Sequence, residues 1–168
     1  MQHAVVIMGV AGCGKSSLAA AVALAEGLPS IEGDNFHSPA NRGKMAEGVA
    51  LDDADRSGWL DALALQLQAH PAGIVLTCSA LRLAYRERLR AAAPGLRFAF
   101  LDLGRDAALA RVAARAGTHF FSPQLVDSQF ATLESPLGES GVLRLDALQP
   151  LPALQGQVSA WLHRTGPG

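Results

Sequence analysis

The residues with the clearest chemical capability stand close to the start of the chain. Gly9-Val10-Ala11-Gly12-Cys13-Gly14-Lys15-Ser16 matches the pattern G-x-x-x-x-G-K-[ST] in full. In that pattern the glycines let successive backbone N–H groups turn inward around a phosphate, and the following helix adds the partial positive charge of its N-terminus. Lys15 then reaches the β and γ phosphates, and the Ser16 hydroxyl ligates Mg²⁺. A chance match somewhere in a chain of this composition has odds of roughly one in 200. The predicted nucleotide site is Gly9, Val10, Ala11, Gly12, Cys13, Gly14, Lys15, Ser16 and Ser17, with Ser16 as the metal ligand and ATP and Mg²⁺ as cofactors.

A phosphate loop alone does not separate kinases from switches or motors. No Asn-Lys-x-Asp run is present to read guanine, and the segment Ile74-Val75-Leu76-Thr77-Cys78-Ser79 ends without the acidic residue of a motor ATPase. Small-molecule kinases remain. Such an enzyme needs a group to orient or deprotonate the acceptor hydroxyl, and cations to hold the transferring phosphoryl group. Asp34, just after the second predicted strand, is the candidate for the first role. Arg111 and Arg115, four apart on one predicted helix face, are candidates for the second, leading into a lid.

These groups need a scaffold to position them, and the sequence supplies one by alternation. Predicted strands cover 4–8, 28–32, 73–78, 97–103 and 142–145. Predicted helices cover 15–25, 53–69, 82–92, 106–115, 123–133 and 152–162. Strands that read as short apolar runs, separated by helices, argue for an open parallel sheet with helices on both faces and ligands at the carboxyl ends of the strands. The helix from Asp53 carries its own start signal, with Asp52 as cap and Trp59, Leu60, Leu63 and Leu67 at helical spacing. Two segments, 33–50 and 116–122, receive no assignment and are expected to be functional loops.

Composition narrows the partners. The chain has 168 residues, the size of a single domain, and its 14 basic and 15 acidic residues leave a net charge of −1, which offers no broad basic face to nucleic acid. The apolar stretch from Ala4 to Met8 is far too short for a signal peptide or a membrane span. Two cysteines, Cys13 and Cys78, have no metal-ligand spacing. The expectation is a cytoplasmic protein of residues 1–168 in one domain, with no nucleic-acid or membrane partner.

At the level of motifs the chain resembles the gluconokinase family of small P-loop kinases, over nearly its whole length. The resemblance rests on the phosphate loop; on Gly33-Asp34 with His37, Asn41 and Lys44-Met45; and on Leu51-Asp52-Asp53-Ala54-Asp55-Arg56 closed by Trp59-Leu60. It continues through Cys78-Ser79-Ala80-Leu81 with Tyr85-Arg86, and ends with Arg115, Gly117, His119-Phe120 and Ser128-Gln129-Phe130 followed by Thr132-Leu133-Glu134. It implies a three-layer α/β fold on a central parallel sheet of five strands, an acceptor region at about 34–60, a lid at about 114–124, Mg·ATP, and often a homodimer. The implied reaction is γ-phosphoryl transfer from ATP to the terminal hydroxyl of D-gluconate. Carried over by motif, the catalytic groups are Lys15, Asp34, Arg111 and Arg115, and the gluconate pocket is Asp34, His37, Lys44, Arg56, Ser79, Arg82 and His119. A small polyol with a carboxylate does need a cation such as Arg56 or Lys44 and several neutral hydrogen-bonders.

The chain departs from the family pattern at four places. Ala50 and Gly58 stand where prolines are usual before Leu51 and Trp59, and Arg82 replaces a lysine. The stretch Arg115-Ala116-Gly117-Thr118-His119 has one residue more than the usual Arg-x-Gly-His. The residue-level alternatives are a shikimate-like or nucleoside-monophosphate-like kinase, and a nucleotide-binding module without acceptor chemistry.

Overall fold

The computed structural model describes residues 3–114 and 123–164. Five strands, β1 (His3–Met8), β2 (Ser30–Glu32), β3 (Gly73–Thr77), β4 (Arg97–Asp102) and β5 (Val142–Asp146), form one parallel sheet in the order β2-β3-β1-β4-β5. Seven helices lie between and after them among the described residues: α1 (Lys15–Glu26), α2 (Pro39–Ala46), α3 (Asp53–Ala69), α4 (Leu83–Ala92), α5 (Arg105–Ala114), α6 (Pro123–Thr132) and α7 (Leu151–Leu162). The expected α/β architecture is present.

β1 runs through the middle of the sheet, and its side chains alternate between two cores. Val5 and Ile7 join Leu18 and Val22 of α1, Val112 of α5 and Val158 and Trp161 of α7. Val6 and Met8 face the other way, onto Trp59, Leu63 and Leu67 of α3 and Leu89 of α4. Both faces are covered, so the strand is apolar throughout rather than alternating. Of the lid expected at about 114–124, residues 115–122, with Arg115 and His119 among them, lie outside the described residues.

The largest departure from expectation falls in 33–50, which is not a continuous loop. A 3₁₀ turn at Gly33–Phe36 leads into α2, where Ser38 caps the helix by accepting a hydrogen bond from the Asn41 backbone N–H (3.1 Å) and Pro39 takes the first turn. The helix has only eight residues and buries only Asn41 and Met45, so it offers no apolar stripe to find by periodicity. Its one signal is the Ser-Pro start. Strand and helix ends elsewhere differ from expectation by a residue or two, the usual fraying of such boundaries.

Candidate active site

Three strand ends build the site. After β1 the chain turns through the phosphate loop into α1, whose N-cap is Gly14 at φ 97°, with no side chain capping the helix. A left-handed N-cap of this kind suits glycine. The first-turn N–H groups of α1 are therefore left for a ligand rather than for a Ser or Asp cap. The Lys15 ammonium donates to the Gly9 and Val10 carbonyls at 2.9 and 3.0 Å. On the far wall, the Gln129 side-chain oxygen accepts from the Ala11 N–H at 2.7 Å, tying α6 to the loop.

β2 ends against β3, and there Gly33 is required by space. A Cβ on Gly33 would sit 2.1 Å from the Thr77 carbonyl oxygen. Its N–H meets no such obstruction and donates to the Thr77 hydroxyl at 3.1 Å. This close approach sets Glu32 and Asp34 on either side of one fixed point. The Glu32 carboxylate accepts from the Thr77 hydroxyl (2.8 Å) and from the Ser16 hydroxyl (3.0 Å). Glu32 carries no signal in the sequence, because its partner Ser16 is brought to it only by the sheet.

Asp34 stands where two open clefts meet. One is lined by the phosphate loop with Ser16, Ser17, Glu32 and Thr77. The other is lined by His37, Met45, Leu51, Arg56, Trp59 and Ser79, with Leu125, Ser128 and Gln129 of α6 opposite. Lys15 and Asp34 belong to both.

The second cleft is shaped by α3. Asp52 and Asp55 form a reciprocal capping box at its start, which fixes the register of the helix. Trp59 then lies under the cleft, its indole N–H donating to the Gly33 carbonyl at 2.8 Å and its ring stacked on His37 at a centroid distance of 4.2 Å. Packing anchor and cleft wall are the same side chain. One turn earlier, the Arg56 guanidinium donates to the Tyr85 hydroxyl at 3.1 Å and lies over the Tyr85 ring, 5.4 Å from its centroid. The Tyr85 hydroxyl in turn donates to Asp53. Burial first, and then this bond to Asp53, hold the Tyr85 phenol above its usual pKa. A carboxylate that never enters the cleft thus aims a cation into it.

His37 is buried, and burial lowers its pKa to about 4 against the opposing pull of Asp34. It is neutral at physiological pH. Cys78, also buried, has its thiol pushed up to about 12 by desolvation, which denies it thiolate character near neutral pH.

The predicted pocket residues divide by position. Lys15, Asp34, His37, Arg56 and Ser79 come together in the second cleft. Lys44 and Arg82 do not line it. Lys44 pairs with Asp55 at 2.8 Å, which raises the lysine pKa and lowers that of the carboxyl, while Arg82 lies 4.0 Å from Asp53 and is half-exposed. Asp55, placed by the capping box, holds Lys44 away from the cleft. Arg111 donates to the Gly12 carbonyl (3.1 Å) and to the Ala147 carbonyl (3.2 Å), bracing the back of the phosphate loop against the segment after β5.

The loop after β3 is braced too. Arg86 is fully buried and donates to the Ala80 carbonyl (2.7 Å), to the Glu134 carbonyl (3.0 Å) and to the Glu139 carboxylate (2.6 Å). Burial pushes the Glu139 carboxyl up, but the bonds from Arg86 and Arg90 outweigh it and hold it below the usual carboxylate range. A buried charge is costly unless paired and fully bonded, and here it links the Ser79 loop to the end of α6. Ala80 sits in the left-handed region at φ 48°, a strain of order 1 kcal/mol or more for a residue with a Cβ.

No family model matches the chain. The thermoresistant gluconokinase of Escherichia coli (strain K12) is 41% identical over 153 residues, 89% of this chain and 87% of that protein. A crystal structure of a gluconokinase from Sinorhizobium meliloti 1021 superposes with a TM-score of 0.87 at 42% identity, covering 95% of this chain and 91% of the other. A sugar kinase from Janibacter sp. HTCC2649 superposes with a TM-score of 0.90 at 38% identity, covering 96% and 95%.

Proposed function

The chain belongs to the gluconokinase family, and from that premise we propose that it transfers the γ-phosphoryl group of ATP to the terminal hydroxyl of D-gluconate. The observation that carries this reading is the junction of the two clefts at Lys15 and Asp34. A donor phosphate cradled by the loop and an acceptor in the neighbouring cleft would meet there, as in-line transfer requires.

The roles follow from position. Backbone N–H groups of 9–17 hold the triphosphate, and Lys15 exchanges its loop carbonyls for phosphate oxygens, neutralising the charge that develops in transfer. Asp34 orients the acceptor hydroxyl and takes its proton. Arg56, aimed by Tyr85 and Asp53, meets the sugar-acid carboxylate, while His37 and Ser79 supply neutral hydrogen bonds. Arg111 acts by bracing the loop. Arg115 and His119 would complete the lid.

Ser16 and Glu32 fit a magnesium ion: a hydroxyl and a carboxylate 3.0 Å apart form a hard oxygen donor set beside the phosphate cradle. Among the described residues no cluster of three or more His, Cys, Asp or Glu could hold a metal. None is needed, because Mg²⁺ at nucleotide sites binds one or two protein groups and otherwise phosphate and water. When bound, the ion shields the phosphate oxygens. Among the described residues no helix is long and apolar enough to cross a membrane, and a cytoplasmic homodimer belongs to the same proposal.

The test is ADP release by the purified protein with gluconate, shikimate, glucose and nucleoside monophosphates as acceptors. Stimulation by gluconate alone is expected. Stimulation by shikimate or a nucleoside monophosphate instead, or none above basal ATP hydrolysis, contradicts the assignment.

A further inference from the structure

The hydrogen bonds around Asn41 determine which ring nitrogen of His37 carries the proton. Asn41 is buried on α2. Its side-chain nitrogen donates to the Asp55 backbone carbonyl at 2.9 Å. A carbonyl only accepts, so the amide cannot be turned over without setting two oxygens against each other. The same nitrogen faces His37 Nδ1 at 3.3 Å. Its second N–H therefore points at Nδ1, which must accept. His37 is neutral, as its burial requires, so its one ring proton sits on Nε2.

Nε2 is 3.8 Å from an Asp34 carboxylate oxygen. That is too long for a direct hydrogen bond, but a hydroxyl oxygen can lie about 2.8 Å from each of two groups so spaced. It would accept from Nε2–H and donate to the carboxylate. The opposite tautomer would present two acceptors, and one hydroxyl has a single proton for them.

We propose that Asn41 is a positioning residue for acceptor recognition: by locking His37 as the Nε2–H tautomer it makes His37 and Asp34 a matched donor and acceptor for one hydroxyl of the sugar acid. This rests on the gluconate reading for the identity of the hydroxyl, while the tautomer itself does not depend on any substrate.

Two measurements test it. In the ligand-free protein labelled with ¹⁵N-histidine, NMR at pH 7 should show His37 with Nε2 protonated and Nδ1 bare. A proton on Nδ1 overturns the inference whether or not gluconate is a substrate. In Asn41→Asp, an isosteric change, the new carboxylate draws a proton to Nδ1. The result is either two acceptors facing the hydroxyl or an imidazolium closing onto Asp34. The gluconate kcat/KM should then fall by about thirtyfold, the scale of a hydrogen bond to a charged group. Asn41→Leu, which removes the amide without offering an acceptor, should cost less than Asn41→Asp. Asn41→Asp also sets an oxygen against the Asp55 carbonyl, a cost that a merely structural role would share, so the two roles are separated in a background without the ring.

His37→Ala removes the ring and with it any tautomer for Asn41 to set. In that background the cost of Asn41→Asp should shrink to about threefold or less, a coupling read from the double-mutant cycle. Equal cost in both backgrounds, or an Asn41→Asp enzyme within twofold of the parent, contradicts the proposal.

Discussion

The two clefts are built by opposite means. The phosphate side is mostly local backbone: glycines, a helix N-terminus with no side-chain cap, and one lysine within 9–17, joined by Glu32 and Thr77 from the neighbouring strand ends. The acceptor side is made of side chains from α2, α3, α6 and the loop after β3, drawn from 34 to 129. Backbone recognition needs a local sequence and tolerates little change within it. Side-chain recognition needs the whole fold, and each recognising group depends on others that never touch the ligand. Arg56 leans on Tyr85 and Asp53, and His37 on Asn41 and Trp59.

Gly33→Ala would break the comparison by striking both sides at once. The Cβ, 2.1 Å from the Thr77 carbonyl, meets backbone, which cannot give way as a flexible side chain would. The ends of β2 and β3 must separate, moving Glu32 on one side and Asp34 on the other. Activity should fall by at least about a hundredfold, with a destabilisation of about 1–3 kcal/mol, read by ADP release and thermal melting. Retained activity with an unchanged melting temperature would show that the contact is not needed.

Tyr85→Phe should separate the sides. Without the phenol oxygen, Arg56 loses its partner and Asp53 its donor, at about 1–2 kcal/mol of lost positioning. The gluconate KM should rise about tenfold while the ATP KM and kcat stay within about threefold. An equal rise in both KM values would mean that Tyr85 supports the fold as a whole.

The smallest effect is on pH dependence. Because the His37 pKa is about 4 in the folded protein, against an ordinary histidine value of 6.5, the unfolded chain binds the extra proton first. This contribution to stability is present above pH 6.5 and lost as pH falls towards 4. His37→Gln should flatten the melting temperature across that window. An unchanged slope would assign the acid sensitivity to other groups.

The same contrast explains what the sequence discloses. The loop at 9–17 can be found because its chemistry and its spacing are one thing. Alternating apolar runs and the Asp52 start signal expose the sheet and α3. α2 is hidden because it buries only two residues, and Glu32 because its partners Ser16 and Thr77 are 16 and 45 positions away. Arg56 and Lys44 are equal candidates for the acceptor cation on charge alone. Only the fold distinguishes them, by pairing Lys44 with Asp55 and pointing Arg56 inward. Likewise Gln129 belongs to a motif of the family resemblance, but its role is legible only once α6 is placed over Ala11.

The account turns on Asp34 as the acceptor-side partner of a phosphate site that can stand without it. Asp34→Asn keeps the shape and removes the charge. Measured on one preparation, gluconate-dependent turnover should fall by about 10²–10⁴-fold, the range for a lost general base, while ATP affinity by calorimetry stays within about threefold. Turnover within a few fold of the parent, or an equal loss of ATP binding, would contradict the meeting of the two sites at Asp34.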